Sequence, residues 1–197
     1  MMGHAVGVRI VPRCGAHRFN PHAWFQTIFI VLKQILIGIK MANTYTQIYM
    51  HVIFAVKGRM AMIKPVYADS LYNYICGACL NRKHYVLAIN GMPDHVHMLV
   101  RMHPAESVSE LVRSLKVETS KWMHSRGVRD FAWQNGFAAF SYSKTFLPQV
   151  ERYIANQKEH HRGRSFREEL EAIFRQAGVE YDERYLMEGY DEDVESS

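Results

Sequence analysis

With 197 residues, 48% hydrophobic and 22% charged, the chain has the composition of an ordinary soluble globular domain, or of one domain with extensions. Its net charge of +5 is unevenly spread: residues 180–197 hold eight acids against Arg184, a balance of −7, so the other 179 residues carry +12. A basic body with a short acidic tail points to a polyanionic partner, most simply nucleic acid. The three cysteines exclude a four-sulfur zinc site, because the C-x-x-C pair Cys76 and Cys79 has no second pair to complete it. A helical pattern surrounds the pair where a redox motif would follow a strand. Both are therefore expected as buried, reduced thiols of a cytoplasmic protein.

Residues 1–40 stand apart from the rest of the chain, with five basic residues, no acid and an apolar run from Ala23 to Ile39. Gln26, Lys33 and Gln34 interrupt that run, which is too short and too polar to span a bilayer. A signal peptide would need an uninterrupted apolar stretch and a small-residue cleavage site. The natural start is expected at Met41, with residues 1–40 an upstream, non-native or disordered extension. Peptides from this stretch in natively expressed protein would overturn that reading. The domain is expected over residues 41–186, with an acidic tail at 187–197.

From Met41 the pattern becomes regular. Residues 46–56 are β-branched and aromatic with apolar side chains on both faces, which predicts a central strand. Leu71, Tyr74, Ile75, Ala78 and Cys79 recur at helical spacing and predict a helix over 66–82. Residues 84–90 alternate as a strand, and Gly91–Asp94 turns the chain into a further strand over 95–102. Ser107 and Glu110 read as a capping box for a helix whose apolar positions are Val108, Leu111, Val112, Leu115 and Trp122. A loop with Trp133-Gln-Asn-Gly136 leads into a strand at 137–143. Pro148 opens a helix that Gly163 closes, and a second capping box, Ser165 with Glu168, starts a last helix ending at Gly178. The order β-α-β-β-α-β followed by helices predicts an α+β, ferredoxin-like antiparallel sheet with helices on one face and an open face on the other.

The stretch Asn90-Gly-Met-Pro-Asp-His-Val-His-Met-Leu-Val-Arg101 carries the chemistry. Strand alternation puts His95 and His97 on one face with Leu99 and Arg101, and Val96, Met98, Val100 and Met102 on the other. The imidazoles therefore point away from the apolar stripe, to a surface where a metal or phosphate could sit. An H-x-H triplet alone is not specific in a chain with 11 histidines. Tyr153 and Gln157 lie four residues apart on the 148–162 helix and are neighbours on its face. Two imidazoles and an amide oxygen suit a divalent ion with open positions. Phosphate oxygens could fill those positions beside a tyrosine nucleophile.

Met41-Ala-Asn-Thr-Tyr-Thr-Gln-Ile-Tyr, His51-Val-Ile-Phe-Ala-Val-Lys, Ala88-Ile-Asn-Gly-Met-Pro-Asp-His-Val-His97, Trp133-Gln-Asn-Gly136, Ala139-Phe-Ser-Tyr-Ser143 and Tyr153-Ile-Ala-Asn-Gln157-Lys-Glu-His-His161 together resemble the insertion-sequence-200-like transposases. These are single-tyrosine members of the histidine–hydrophobic–histidine (HUH) nucleases, and the similarity runs from about Met41 to Leu186. The resemblance implies that His95, His97 and Gln157 bind Mg²⁺ or Mn²⁺ and that Tyr153 is the nucleophile. It implies cleavage and rejoining of single-stranded DNA at the ends of an insertion sequence. Cleavage would leave a 5′-phosphotyrosine and a free 3′-OH. It also implies recognition of subterminal hairpins, a homodimer in which the tyrosine of one subunit completes the site of the other, and a nucleoid location when bound to DNA.

Other residues have weaker signals. Arg113, Lys116, Lys121, Arg126 and Arg129 suit phosphate contacts, and Trp133 suits stacking on an unpaired base, whereas Phe140 on its strand suits the core. Asp94 either orients His95 or serves the turn after Pro93. His51 reads as structural, and His160 and His161 as helix-end residues. Two other functions compete: a non-catalytic hairpin-binding regulator, and a metal-dependent phosphodiesterase that uses water and leaves Tyr153 without a task.

Overall fold

The computed structural model describes residues 45–160 and 165–181, the side chains of Lys158 and His160 excepted. The expected extension 1–40, His161, Gly163 and the acidic tail lie outside these residues. Strands β1 (Tyr49–Ala55), β2 (Tyr85–Met92), β3 (His95–Arg101) and β4 (Ala138–Ser141) form one antiparallel sheet in the order β2-β3-β1-β4. Helices α1 (Pro65–Asn81) and α2 (Val108–Ser125) follow β1 and β3, so the expected ferredoxin-like order holds. Three more helices follow among the described residues: α3 (Leu147–Ala155), α4 (Gln157–His160) and α5 (Phe166–Ala177).

Local chemistry sets the ends of these helices. Pro65 opens α1, where its missing N–H is no loss. Ser107 caps α2 by accepting the Glu110 amide at 3.2 Å. The return arm of that expected capping box is absent, because the Glu110 carboxylate turns to Arg113 at 2.6 Å. The second box is complete: Ser165 accepts the Glu168 amide, and Glu168 accepts the Ser165 amide at 2.7 Å. Gly178 then ends α5 in the left-handed conformation, φ 65°, that favours glycine.

One face of the sheet carries the main core. Val52 and Phe54 of β1 and Val96, Met98 and Val100 of β3 pack against Leu71, Ile75 and Cys79 of α1 and Leu111 and Leu115 of α2. Burial pushes the Cys79 thiol up to about 12, so it is the buried, protonated thiol expected, whereas Cys76 is only half-buried.

The other face is not open, which corrects the expectation of an exposed histidine surface. Leu147, Val150 and Ile154 of α3 pack on Leu99, while Phe166 and Leu170 of α5 pack on Ile53, Ala138 and Phe140. The reason lies in the neighbouring strands. Pairing His97 with Ile53 and Leu99 with His51 puts apolar β1 and β4 side chains around the imidazoles. Such a surface is buried by the apolar stripes of two amphipathic helices.

The single helix expected over 148–162 is interrupted at Asn156. There the side-chain amide of Asn90, from β2, donates to the carbonyls of Ile154 and Ala155 at 3.0 and 3.1 Å. Those are carbonyls a continuous helix would use itself, and the Glu159 amide bonds Asn156 O instead. At the β2–β3 hairpin Gly91 is required by space, since a β-carbon there would collide with the His95 carbonyl oxygen.

Candidate active site

The site lies in the seam between α3 and α5, over β3. His95 and His97 are both fully buried. Each ring is held by its Nδ1 atom. His95 Nδ1–H donates to Asp94 Oδ1 at 2.7 Å, and the other Asp94 oxygen takes the Arg59 guanidinium, with Nε at 3.0 Å. Burial alone would raise the Asp94 carboxyl; the His95 hydrogen bond and the Arg59 charge outweigh it and bring the group down to about 2. The Arg59 guanidinium also lies over the Phe166 ring at 3.7 Å. His97 Nδ1 is 3.0 Å from His51 Nε2. Burial lowers His51 to about 4, so it is a neutral ring that accepts there when His97 carries its proton on Nδ1. Burial also lowers His95. With both Nδ1 positions occupied, the Nε2 lone pairs are the ones available to a ligand.

Those two nitrogens face a carboxylate from α5. Glu169 Oε2 is 3.9 Å from His95 Nε2 and 3.8 Å from His97 Nε2, and one donor atom from each of the three residues fits within a 4.8 Å span. Glu169 Oε1 accepts two hydrogen bonds, one from the Tyr153 hydroxyl and one from Gln157 Nε2 at 3.0 Å. Tyr153 lies beside the histidines, its ring centre 5.9 Å from that of His97 and 6.1 Å from that of His51. Burial, and then the charge of Glu169, push its hydroxyl well above the ordinary value, so the group is a neutral phenol. Gln157 is fully buried, and its Oε1 makes no hydrogen bond among the described residues. A buried amide oxygen of this kind wants a partner. Imidazole nitrogens, a carboxylate and an amide oxygen are a donor set that fits a divalent cation.

Of the residues singled out in the sequence, the structure brings His95, His97, Tyr153 and Gln157 together despite the break between α3 and α4. Asp94 both shapes the turn and holds His95, and His51 touches His97 besides filling its strand. Glu169 is the residue that sequence reasoning missed. The signal was there: Phe166, Leu170 and Ile173 form the apolar stripe of α5, and Glu169 is an acid set into that stripe.

Of the six nucleic-acid candidates, Arg113, Lys116, Lys121 and Trp133 do not gather at the site. α2 packs on the opposite face of the sheet, so Arg113 and Lys121 are exposed on the far layer, Arg113 paired with Glu110. Lys116 is half-buried and donates to the carbonyls of Gln134, at 2.8 Å, and Gly136. Burial brings it down to about 8. Trp133 is only 8% exposed; its Nε1–H donates to Thr119 Oγ1 at 2.7 Å and its ring packs on Phe54 and Phe131. The indole therefore belongs to the core in this structure, and the surface position expected of a stacking platform is corrected. An indole in a loop is read as exposed unless its long-range partners are known, and these lie on β1 and α2.

An antiparallel ferredoxin-like sheet with paired imidazoles, a tyrosine and polar side chains buried over one face defines an enzyme-like site on an α+β scaffold. Residues 44–157 match the family model described as transposase IS200 like, and the chain belongs to that family of DNA transposases. Among curated proteins it is 23% identical over 120 residues to the ISDra2 transposase TnpA of Deinococcus radiodurans, covering 57% of this chain and 86% of that one. Among solved structures, a crystal structure from Deinococcus radiodurans R1 aligns with TM-score 0.49 and 23% identity, over 58% of this chain and 94% of that chain. A REP-associated tyrosine transposase bound to a REP hairpin aligns with TM-score 0.49 and 16% identity, over 61% of this chain and 72% of that chain. No helix among the described residues is long and apolar enough to cross a membrane.

Proposed function

We propose that this transposase cuts and rejoins single-stranded DNA at insertion-sequence ends through a covalent 5′-phosphotyrosine on Tyr153. The observation that carries this reading is the hydrogen bond of the Tyr153 hydroxyl to Glu169, whose other oxygen faces the Nε2 atoms of His95 and His97. Nucleophile and ligand nitrogens thus meet on one carboxylate. His95 and His97, with Gln157 Oε1, would hold a divalent ion, Mg²⁺ or Mn²⁺. When bound, such an ion withdraws charge from phosphate oxygens and positions the phosphorus.

The chain's own residues do the rest. The Tyr153 oxygen attacks phosphorus, an O–P bond to tyrosine forms, and the P–O3′ bond breaks to leave a free 3′-OH after protonation. The phenol's proton already lies on the hydrogen bond to Glu169 Oε1, the acceptor nearest to it. Asp94 and His51 keep the imidazoles in the ligating orientation. α3 and α5 cover the sheet and keep water from competing for the phosphorus. Because tyrosine rather than water attacks, the phosphodiester energy is kept in the covalent link and a second 3′-OH can be joined to it.

Subterminal hairpins are the proposed DNA elements recognised, with Arg113 and Lys121 as phosphate contacts. A homodimer in which the tyrosine of one subunit completes the site of the other is a further part of this proposal, to be told apart from action of Tyr153 at its own chain's histidines. Mixing inactive Tyr153→Phe and His97→Ala chains restores adduct formation if the exchange occurs. The central test is incubation with a labelled single-stranded hairpin and Mg²⁺ or Mn²⁺, followed by denaturation. A covalent adduct present in the wild type and absent in Tyr153→Phe is the expected result. Cleavage that survives that change sinks the tyrosine mechanism in favour of a hydrolase, and binding without any cleavage leaves a regulator.

A further inference from the structure

Glu169 lies beyond residues 44–157, which match the family model, and its position needs an explanation of its own. The capping box of Ser165 and Glu168 sets where α5 starts, and the packing of Phe166 and Leu170 on β1 and β4 sets its rotation. Together these drive the Glu169 side chain inward, to 7% exposure. A carboxylate at a core position is unfavourable unless specific partners meet it.

Its two oxygens face different groups. Oε1 accepts from the Tyr153 hydroxyl and from Gln157 Nε2. Oε2 is turned to the two imidazoles, at 3.9 and 3.8 Å from their Nε2 atoms. These separations are too long for hydrogen bonds. Two donors each ~2.1 Å from one ion stand roughly 3 Å apart at a right angle, so on loading Glu169 Oε2 would close by about an ångström towards both nitrogens, with which it already shares a 4.8 Å span. Both imidazoles have their Nδ1 atoms engaged by Asp94 and His51, so the nitrogens turned to Glu169 are the ligating ones.

We propose that Glu169 is a further ligand of the divalent ion through Oε2, while its Oε1 holds the Tyr153 hydroxyl. One carboxylate then ties the nucleophile to the ion. This rests on the reading of His95 and His97 as ligands and adds to it an anionic oxygen from a helix outside the family segment. A carboxylate also biases the set towards hard cations such as Mg²⁺ and Mn²⁺ over those that two nitrogens alone would favour.

Two measurements on the full chain test the proposal. In the first, the wild-type protein is made with glutamate enriched in ¹³C at the side-chain carboxyl, loaded with Mn²⁺ and read by electron–nuclear double resonance. A ¹³C coupling of ligand size is expected, and its absence in the loaded protein overturns the proposal. In the second, Mn²⁺ is titrated calorimetrically into wild type, Glu169→Gln, His97→Ala and, as a helix-surface control, Glu171→Gln. Glu169→Gln is expected to weaken Mn²⁺ binding tenfold or more. Glu171→Gln should match wild type, and His97→Ala should lose the site. If Glu169→Gln binds like wild type while His97→Ala does not, the carboxylate is no ligand and the histidine site stands. If His97→Ala binds like wild type, the histidine reading itself fails. The resonance experiment needs no variant, so a folding defect in Glu169→Gln leaves the proposal open to refutation.

Discussion

What makes His95 and His97 suited to a cation is the group on the far side of each ring. His95 Nδ1 is hydrogen-bonded to Asp94, and His97 Nδ1 to His51 Nε2. Asp94 is also pinned by Arg59, and its carboxyl is lowered from 3.8 to about 2. A lowered folded value means that the unfolded chain binds the proton more tightly. The stabilisation is complete above roughly pH 4 and fades as pH falls through the folded value towards 2. The difference in thermal midpoint between wild type and Asp94→Asn, measured without metal, should therefore narrow between pH 4 and pH 2. A constant difference across that window would show that the carboxylate charge plays no part. Tyr153 has the opposite character: burial and the neighbouring carboxylate keep it protonated, so the proposed attack requires its proton to be removed.

Among the elements, the decisive one is the tyrosine helix and the way it ends. Asn90 reaches from β2 to the carbonyls of Ile154 and Ala155 and replaces two helical hydrogen bonds. The interruption at Asn156 sits between Tyr153 and Gln157, yet both still reach Glu169 Oε1. Asn90→Ala should leave two carbonyls short of donors, at a cost of about 1–3 kcal/mol, seen as a lower thermal midpoint. Adduct formation should slow more than DNA binding weakens, because Asn90 holds the backbone that follows Tyr153. Equal loss in both measurements would make Asn90 a plain stability residue. The same region explains how far helical spacing can be trusted. A four-residue interval correctly paired Tyr153 with Gln157, but an unbroken helix was the wrong reason, since the interruption comes from a side chain on another element.

For the whole molecule, the sheet separates two layers with different tasks. α3 and α5 bury the histidine face, and α1 and α2 bury the other. The excess positive charge outside the acidic tail is a property of the chain as a whole, and the exposed α2 cations Arg113 and Lys121 are far-layer members of it. Lys116 differs from them because it bridges to the 134–136 loop. Lys121→Ala should reduce the slope of log binding constant against log salt by about 0.7 for single-stranded DNA, with little change in thermal midpoint. Lys116→Ala should do the reverse, lowering the midpoint and leaving the slope. Should the two variants exchange these signatures, the assignment of structural and DNA-facing lysines is wrong.

The amino-acid sequence by itself determined what depends on near neighbours. Alternation in β3 put both imidazoles on one face, the Ser165 and Glu168 box started α5, and the order of elements specified the antiparallel sheet. The chemical types at His95, His97, Tyr153 and Gln157, in their motifs, were enough to name the family. Tertiary structure decided what depends on partners far along the chain. It closed the face expected to be open and drew Trp133 into the core. It gave His51 to His97 and placed Glu169 between Tyr153 and the two histidines. The reason is physical: periodicity tells which way a side chain leaves its own backbone, whereas burial and hydrogen bonding depend on which other element arrives to meet it.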